Sequence, residues 1–331
     1  MTRVTRVRTC CAMWILCLVA LSSDAWAIAY CSLRDPVGAI SKMYPGYSSF
    51  ETYVGSVTRQ TREALRERLE FEFHFDEFGR HSLYVVAVDD RPEGLIHTRS
   101  ELGEWGMDEI VWAMDLDLRL RDFVFQRSRN PSRRFLEAES FKSWLRGKSL
   151  DDLLELSGRN ASPDRWGLDL PKKSWPLTQS VIRSAAKAIL VTGQVWAEDL
   201  TVIRATAIAK ERFPAAREVL ELQNPYDDQT LLRLAEQAQL EESAFAREAT
   251  RAFSVLDHAG AAVGTILRTD FRAESAVERF WWTLAEGANV IAVQTPAGHL
   301  DEELRVSIGR LDRSLEEVKL LAGQLSPPPA H

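Results

Sequence analysis

The sequence predicts an α+β protein, an antiparallel sheet with flanking helices over residues 28–198, followed by an all-α helical bundle over 199–326. Three observations carry this prediction. Period-two alternation and closely spaced turn signals fill Leu69–Gln126. Apolar residues at helical spacing dominate from Leu200 onward. The 331 residues, 45% hydrophobic and 27% charged, suffice for two ordinary domains. That balance excludes wholesale disorder and a polytopic membrane protein. The net charge of −7 gives no support for a nucleic-acid partner.

The first element is an export signal, residues 1–27. Arg3, Arg6 and Arg8 form a basic start, an uncharged apolar run extends from Cys10 to Leu21, and Ala25-Trp26-Ala27 supplies small residues for cleavage. The run is too short to span about 30 Å of hydrocarbon. The expected location is therefore periplasmic or secreted. Cys10, Cys11 and Cys17 leave with the signal, so only Cys31 remains and the mature chain has no internal disulfide. Cys31 reads as a buried thiol or as one half of an intermolecular disulfide.

Thr58–Arg68 is a charged helix leading into the strand Glu70–Phe75, whose alternation buries one face. Ser82–Val88 and Gly94–Arg99 form a hairpin around Asp89-Asp90-Arg91-Pro92. Glu109–Met114 and Leu120–Gln126 form another around Asp115-Leu116-Asp117, and such short connections favour antiparallel neighbours. Ser140–Leu145 and Leu150–Leu156 are short helices separated by Gly147. Gln179–Trp196 is a longer helix with an apolar stripe through Val181, Ala185, Ala188, Ile189 and Val195.

In the second half, Asp227-Asp228 caps a helix carrying residues from Leu231 to Phe253. Ala273, Ala276, Val277, Phe280, Trp281, Leu284 and Ala288 define the next helix. Leu304, Ile308, Leu311, Leu315 and Val318 repeat at bundle-like spacing. Gly260 and Gly264 fit close helix packing.

Few residues suggest chemistry. The six histidines form no metal-ligating pattern, and no nucleophile elbow, P-loop or dinucleotide fingerprint occurs. His74 and His97, in strands, read as structural. Glu101, Glu104, Asp108 and Glu109 read as a solvated acidic loop, with acid–base or cation-binding work as the alternative. Arg127, Arg129, Arg133 and Arg134 read as a solvated basic turn or as an anion contact. No catalytic residue, metal ligand or stand-alone enzyme is expected.

Gly94-Leu95-Ile96-His97-Thr98, the strand pair 109–126 and the run Ser140–Leu153, with Phe141 and Gly147-Lys148-Ser149, resemble the FMN-binding domain family over residues 79–190. Its members include flavin subunits of the sodium-pumping quinone reductase and the Rnf complex, and the periplasmic domain of the nitrous-oxide reductase regulator. In that family a Ser/Thr-Gly-Ala-Thr segment opens a helix, and its last threonine carries FMN through a phosphoester. Trp175-Pro176-Leu177-Thr178 occupies the corresponding stretch.

The resemblance implies an FMN-binding-domain-like fold. Thr178, Trp175, Ser180 and Lys148 would be its cofactor contacts, with FMN either covalent at Thr178 or held noncovalently. Pro176 lacks the N–H that the family glycine offers a phosphate, and Trp175 and Leu177 replace small residues. Thr178 is otherwise an N-cap, and the chain then carries no cofactor. The resemblance implies an exported electron-transfer or redox-system accessory protein whose partner is a periplasmic or membrane redox protein. The alternative is a cofactor-less interaction or scaffold module.

Overall fold

The computed structural model describes residues 33–69, 71–73, 77–158, 166–223, 250–272, 277–285 and 290–294. The chain divides into two compact units, one formed by Met1–Val86 with Gly94–Ala197, the other by Ala87–Glu93 with Glu198–His331. The signal segment, Cys31 and the helices expected over 227–249 and 304–318 lie outside the described residues.

The first unit is α+β. Its sheet is a five-stranded meander of β1 (Ser49–Val57), β2 (Gly79–Val88), β3 (Arg91–Gly103), β4 (Gly106–Met114) and β5 (Leu120–Arg127), in that order. The β3/β4 and β4/β5 pairs are antiparallel. The β2–β3 turn places Asp89 and Asp90 at φ 50° and 61°, the left-handed pair a two-residue hairpin demands. Short-range polar side chains of Asp tolerate it.

Helices cover both faces. One face packs Tyr84, Val86, Ile96, Val111 and Ala113 against Ile40 and Met43 of α1 (Pro36–Met43). Tyr44 anchors that contact by donating to the Met114 carbonyl at 2.6 Å. Four further helices are α2 (Arg59–Arg66, capped by Thr58), α3 (Arg133–Leu136), α4 (Glu139–Leu145) and α5 (Leu150–Ser157, with a Ser149/Asp152 capping box). The long helix α6 (Trp175–Val195) packs on β4, and the Trp112 indole N–H donates to Ser184 Oγ at 3.0 Å. Residues 71–73 are not a strand. β1 was not legible, because its pattern leaves most of its side chains solvent-facing.

The second unit departs from the all-α expectation. After α7 (Ala197–Arg212), the described residues of 199–326 form a five-stranded antiparallel sheet in the order β10-β9-β8-β7-β6. Its strands are β6 (Glu218–Leu222), β7 (Arg251–Leu256), β8 (Ala262–Arg272), β9 (Val277–Leu284) and β10 (Val290–Gln294). The reason is visible in β9. Phe280, Trp282 and Leu284 are buried on one face, Trp281 and Thr283 on the other. A strand buried on both faces shows a continuous apolar run that helical and strand templates fit equally. Ala205, Ile208 and Ala209 of α7 pack with Phe253, Val255, Ile266 and Trp281 as this unit's core. Gly264 therefore sits in a strand, not in a helix–helix contact.

Candidate functional site

The four residues singled out by the family resemblance fall on two elements. Thr178 and Ser180 lie in the first turns of α6, both buried, and Trp175 is its first residue, half-buried. Lys148 lies just before α5, with Nζ 4.7 Å from the centre of the Trp144 ring. Helix α6 begins earlier than the sequence suggested, with Ser174 as N-cap. Thr178 is therefore inside the helix and is not a cap. Its hydroxyl donates to the Ser174 carbonyl at 2.9 Å, and the residue is 0% exposed.

That environment does not fit a phosphoester-linked flavin. The oxygen that would bear the phosphate is sealed and hydrogen-bonded. Among the first helical N–H groups, Trp175 is bonded to the Lys172 carbonyl and Pro176 has none. Few donors are left to cradle an anion there.

The concentrated chemistry of the first unit lies further along α6. Lys187, on the buried side of the helix, holds Nζ 2.8 Å from Glu101 Oε2 and 3.1 Å from Glu77 Oε2. Glu77 also accepts from Arg99 of β3 at 2.5 Å, and Arg183, one turn before Lys187, lies 3.5 Å from Glu101. Phe73 and Phe71 flank the ammonium, with ring centres at 5.4 and 5.8 Å. Glu77, Arg99 and Lys187 are each at most 1% exposed. Two buried carboxylates against two buried cations leave no net charge to desolvate, the condition under which such a cluster is tolerated.

Two histidines extend the cluster. A guanidinium can only donate, so the 3.3 Å contact from Arg99 Nη1 makes His81 Nδ1 an acceptor. The proton then sits on Nε2, 3.1 Å from the Glu77 carbonyl. Burial, with Arg99 beside it, pushes His81 down to about 3. His97 is likewise held well below its ordinary value by burial and by Arg99. Its Nδ1 lies 2.8 Å from Thr192 Oγ1, and its ring stands edge-on to His81 and Trp196. Both rings are neutral across physiological pH. Burial raises the Glu101 carboxyl, and Lys187 opposes the shift.

This arrangement locks β3 to α6 and offers no reacting group to solvent. It corrects the solvated-loop reading of the acidic residues, since Glu101, Asp108 and Glu109 are buried and only Glu104 is exposed. Glu109 Oε1 accepts from Arg34 at 2.7 Å, and Glu109 Oε2 accepts from Gln126 at 3.0 Å. Burial raises Asp108, with the Ser128 hydroxyl opposing. The signal that would have found the cluster is Lys187 itself, a charge set within the apolar run Ala185–Val191. Its partner Glu77 is 110 residues away and invisible to local pattern. Among the described residues, no group of three or more His, Cys, Asp or Glu is placed to hold a metal, and no helix is long and apolar enough to cross a membrane. Compared with known proteins, the chain matches no family model, no curated protein and no solved structure.

Proposed function

We propose that this chain is an exported binding module that acts through its surface and carries no covalent flavin. The observation that supports this reading is the sealed Thr178 hydroxyl, bonded to Ser174 within α6. Exposing it to a flavin-transferring enzyme would require unwinding a turn whose neighbours Leu177 and Val181 are core residues. The buried Glu77–Arg99–Lys187–Glu101 cluster supports the same reading, because it serves a rigid scaffold and not a turnover site.

A second reading, an electron-transfer or redox accessory protein with noncovalent FMN, has one observation in its favour. The half-buried Trp175 ring, with Lys172 Nζ 5.7 Å from its centre, pairs an aromatic face with a cation near the start of α6. Titrating FMN with the protein while following flavin fluorescence separates the two. The binding-module reading predicts unchanged fluorescence. Saturable quenching that disappears in Trp175→Ala would establish the flavoprotein instead.

A further inference from the structure

The sequence is acidic overall, yet one end of the first unit gathers cations and exposed apolar side chains. We propose that this end is a docking surface for an anionic lipid membrane. The proposal names the partner of the exported binding module above and rests on that reading.

Three segments meet there. The β3–β4 hairpin closes at the Gly103/Gly106 pair, and Glu109 of β4 pairs with Arg127 at the end of β5. The tip and the loop after β5 thus leave the sheet at the same end. A Cβ on Gly103 would stand 3.8 Å from Ser180 Oγ, so the first turns of α6 abut the base of the hairpin. Ser132 Oγ donates to the Lys173 carbonyl at 3.3 Å, tying the loop after β5 to the lead-in of α6.

The tip exposes what a stable fold buries. Leu102 is 60% and Trp105 56% exposed, one at the end of β3 and the other in the turn that follows it. The turn itself needs Gly106, at φ 100°, but places no demand for an indole beside it. At the same end of the unit, Arg127, Arg129, Arg133, Arg134, Lys172 and Lys173 are all exposed, on a chain of net charge −7. Glu104 is the exposed acid of the tip, Asp169 is exposed before Lys172, Glu137 pairs with Arg133 at 3.5 Å, and Arg127 lies 3.6 Å from the buried Glu109. Cations therefore outnumber exposed acids at this end.

An indole and a leucine at a hairpin end, on the same end of the unit as a group of exposed Arg and Lys, match the interfacial zone of a bilayer. The rings and methyls enter the headgroup boundary while the cations stay with anionic headgroups. Charge complementarity selects anionic over zwitterionic lipid. A purely acidic protein partner would need the cations but not the protruding apolar pair.

The test is co-sedimentation of the full exported chain with vesicles of phosphatidylcholine alone or mixed with phosphatidylglycerol, at low and high salt. The expected result is binding to the mixed vesicles only, weakened by salt. Partitioning should fall about fivefold for each cation removed. The pair Arg133→Gln/Arg134→Gln should therefore bind well over tenfold more weakly. The pair Leu102→Ser/Trp105→Ser should lose binding comparably while its near-UV circular dichroism keeps the folded signature. Equal binding to both vesicle types, binding to neither, or mixed-vesicle binding indifferent to both pairs would overturn the proposal. Capture of polyglutamate without vesicle binding would overturn it too, and would assign the surface to an acidic protein. A flavin-loaded chain that still binds the mixed vesicles would instead overturn the cofactor-less reading and leave this surface standing.

Discussion

The Thr178 hydroxyl donates to the carbonyl of Ser174 at 2.9 Å, so the one donor of this side chain is engaged inside α6. The bond is the i−4 back-bond that a threonine makes inside a helix, to a carbonyl that already has a place in the helix ladder. Thr178→Val, close in shape, should change the free energy of unfolding by about 1 kcal/mol or less. Urea denaturation measures the effect, and the visible absorbance should be the same before and after the change. A flavin band present in the parent and absent in the variant would contradict this.

Lys187 lies between Glu101 and Glu77 in the buried interior of the first unit. Lys187→Met leaves Glu101 without its buried cation and should cost about 3–5 kcal/mol. Adding Glu101→Gln removes the stranded charge, so the double variant should be more stable than Lys187→Met alone. Chemical denaturation of both single variants and the double gives the coupling directly.

The neutral histidines make stability depend on pH in a defined direction. His81 is pushed down to about 3 and His97 is lowered as well, so below the ordinary histidine value of 6.5 the unfolded chain binds more protons. Stability is therefore present above about pH 6.5 and is lost as pH falls, by about 1.4 kcal/mol per pH unit for each histidine. Glu101 acts oppositely. Its carboxyl is raised, so its contribution declines as pH rises past the ordinary carboxylate value of 4.5. From about pH 5 to about pH 6.5 the two histidines push urea midpoints up as pH rises, and the raised Glu101 and Asp108 carboxyls push them down. His81→Gln removes one histidine's share, so its unfolding free energy should rise with pH by about 1.4 kcal/mol per unit less than the parent's over that range.

In the second unit, Trp282 of β9 donates its indole N–H to Thr269 Oγ1 of β8 at 2.8 Å, both side chains buried. Thr269→Val strands that donor and should cost about 1–3 kcal/mol. In a Trp282→Phe background the same change should cost little. A large cost in both backgrounds would contradict the β8–β9 register.

The first unit was largely legible because its turns carry strong signals and its strand connections are short. Asp89-Asp90 and Asp115-Leu116-Asp117 mark the two connections that bracket β3 and β4, and Gly147 at φ 81° separates α4 from α5. The second unit was misread because β9 hides both faces. A run such as Phe280-Trp281-Trp282-Thr283-Leu284 contains helical spacings and alternating spacings at once. The buried cluster was missed for a different reason. Glu101 and Glu109 sit in a stretch whose charge density resembles a solvated loop, and the cations that neutralise them come from Arg34, Arg183 and Lys187, distant in sequence. The Thr178 segment was read at the correct helix but about a turn late, since the 3-10 turn Lys172–Ser174 feeds directly into α6.

The intact mass of the protein purified from its native host, taken with its absorbance spectrum, tests the central claim most directly. The account predicts a colourless chain at the mass of the polypeptide alone. A mass increased by one FMN phosphoester, mapped to the peptide containing Thr178, would contradict it.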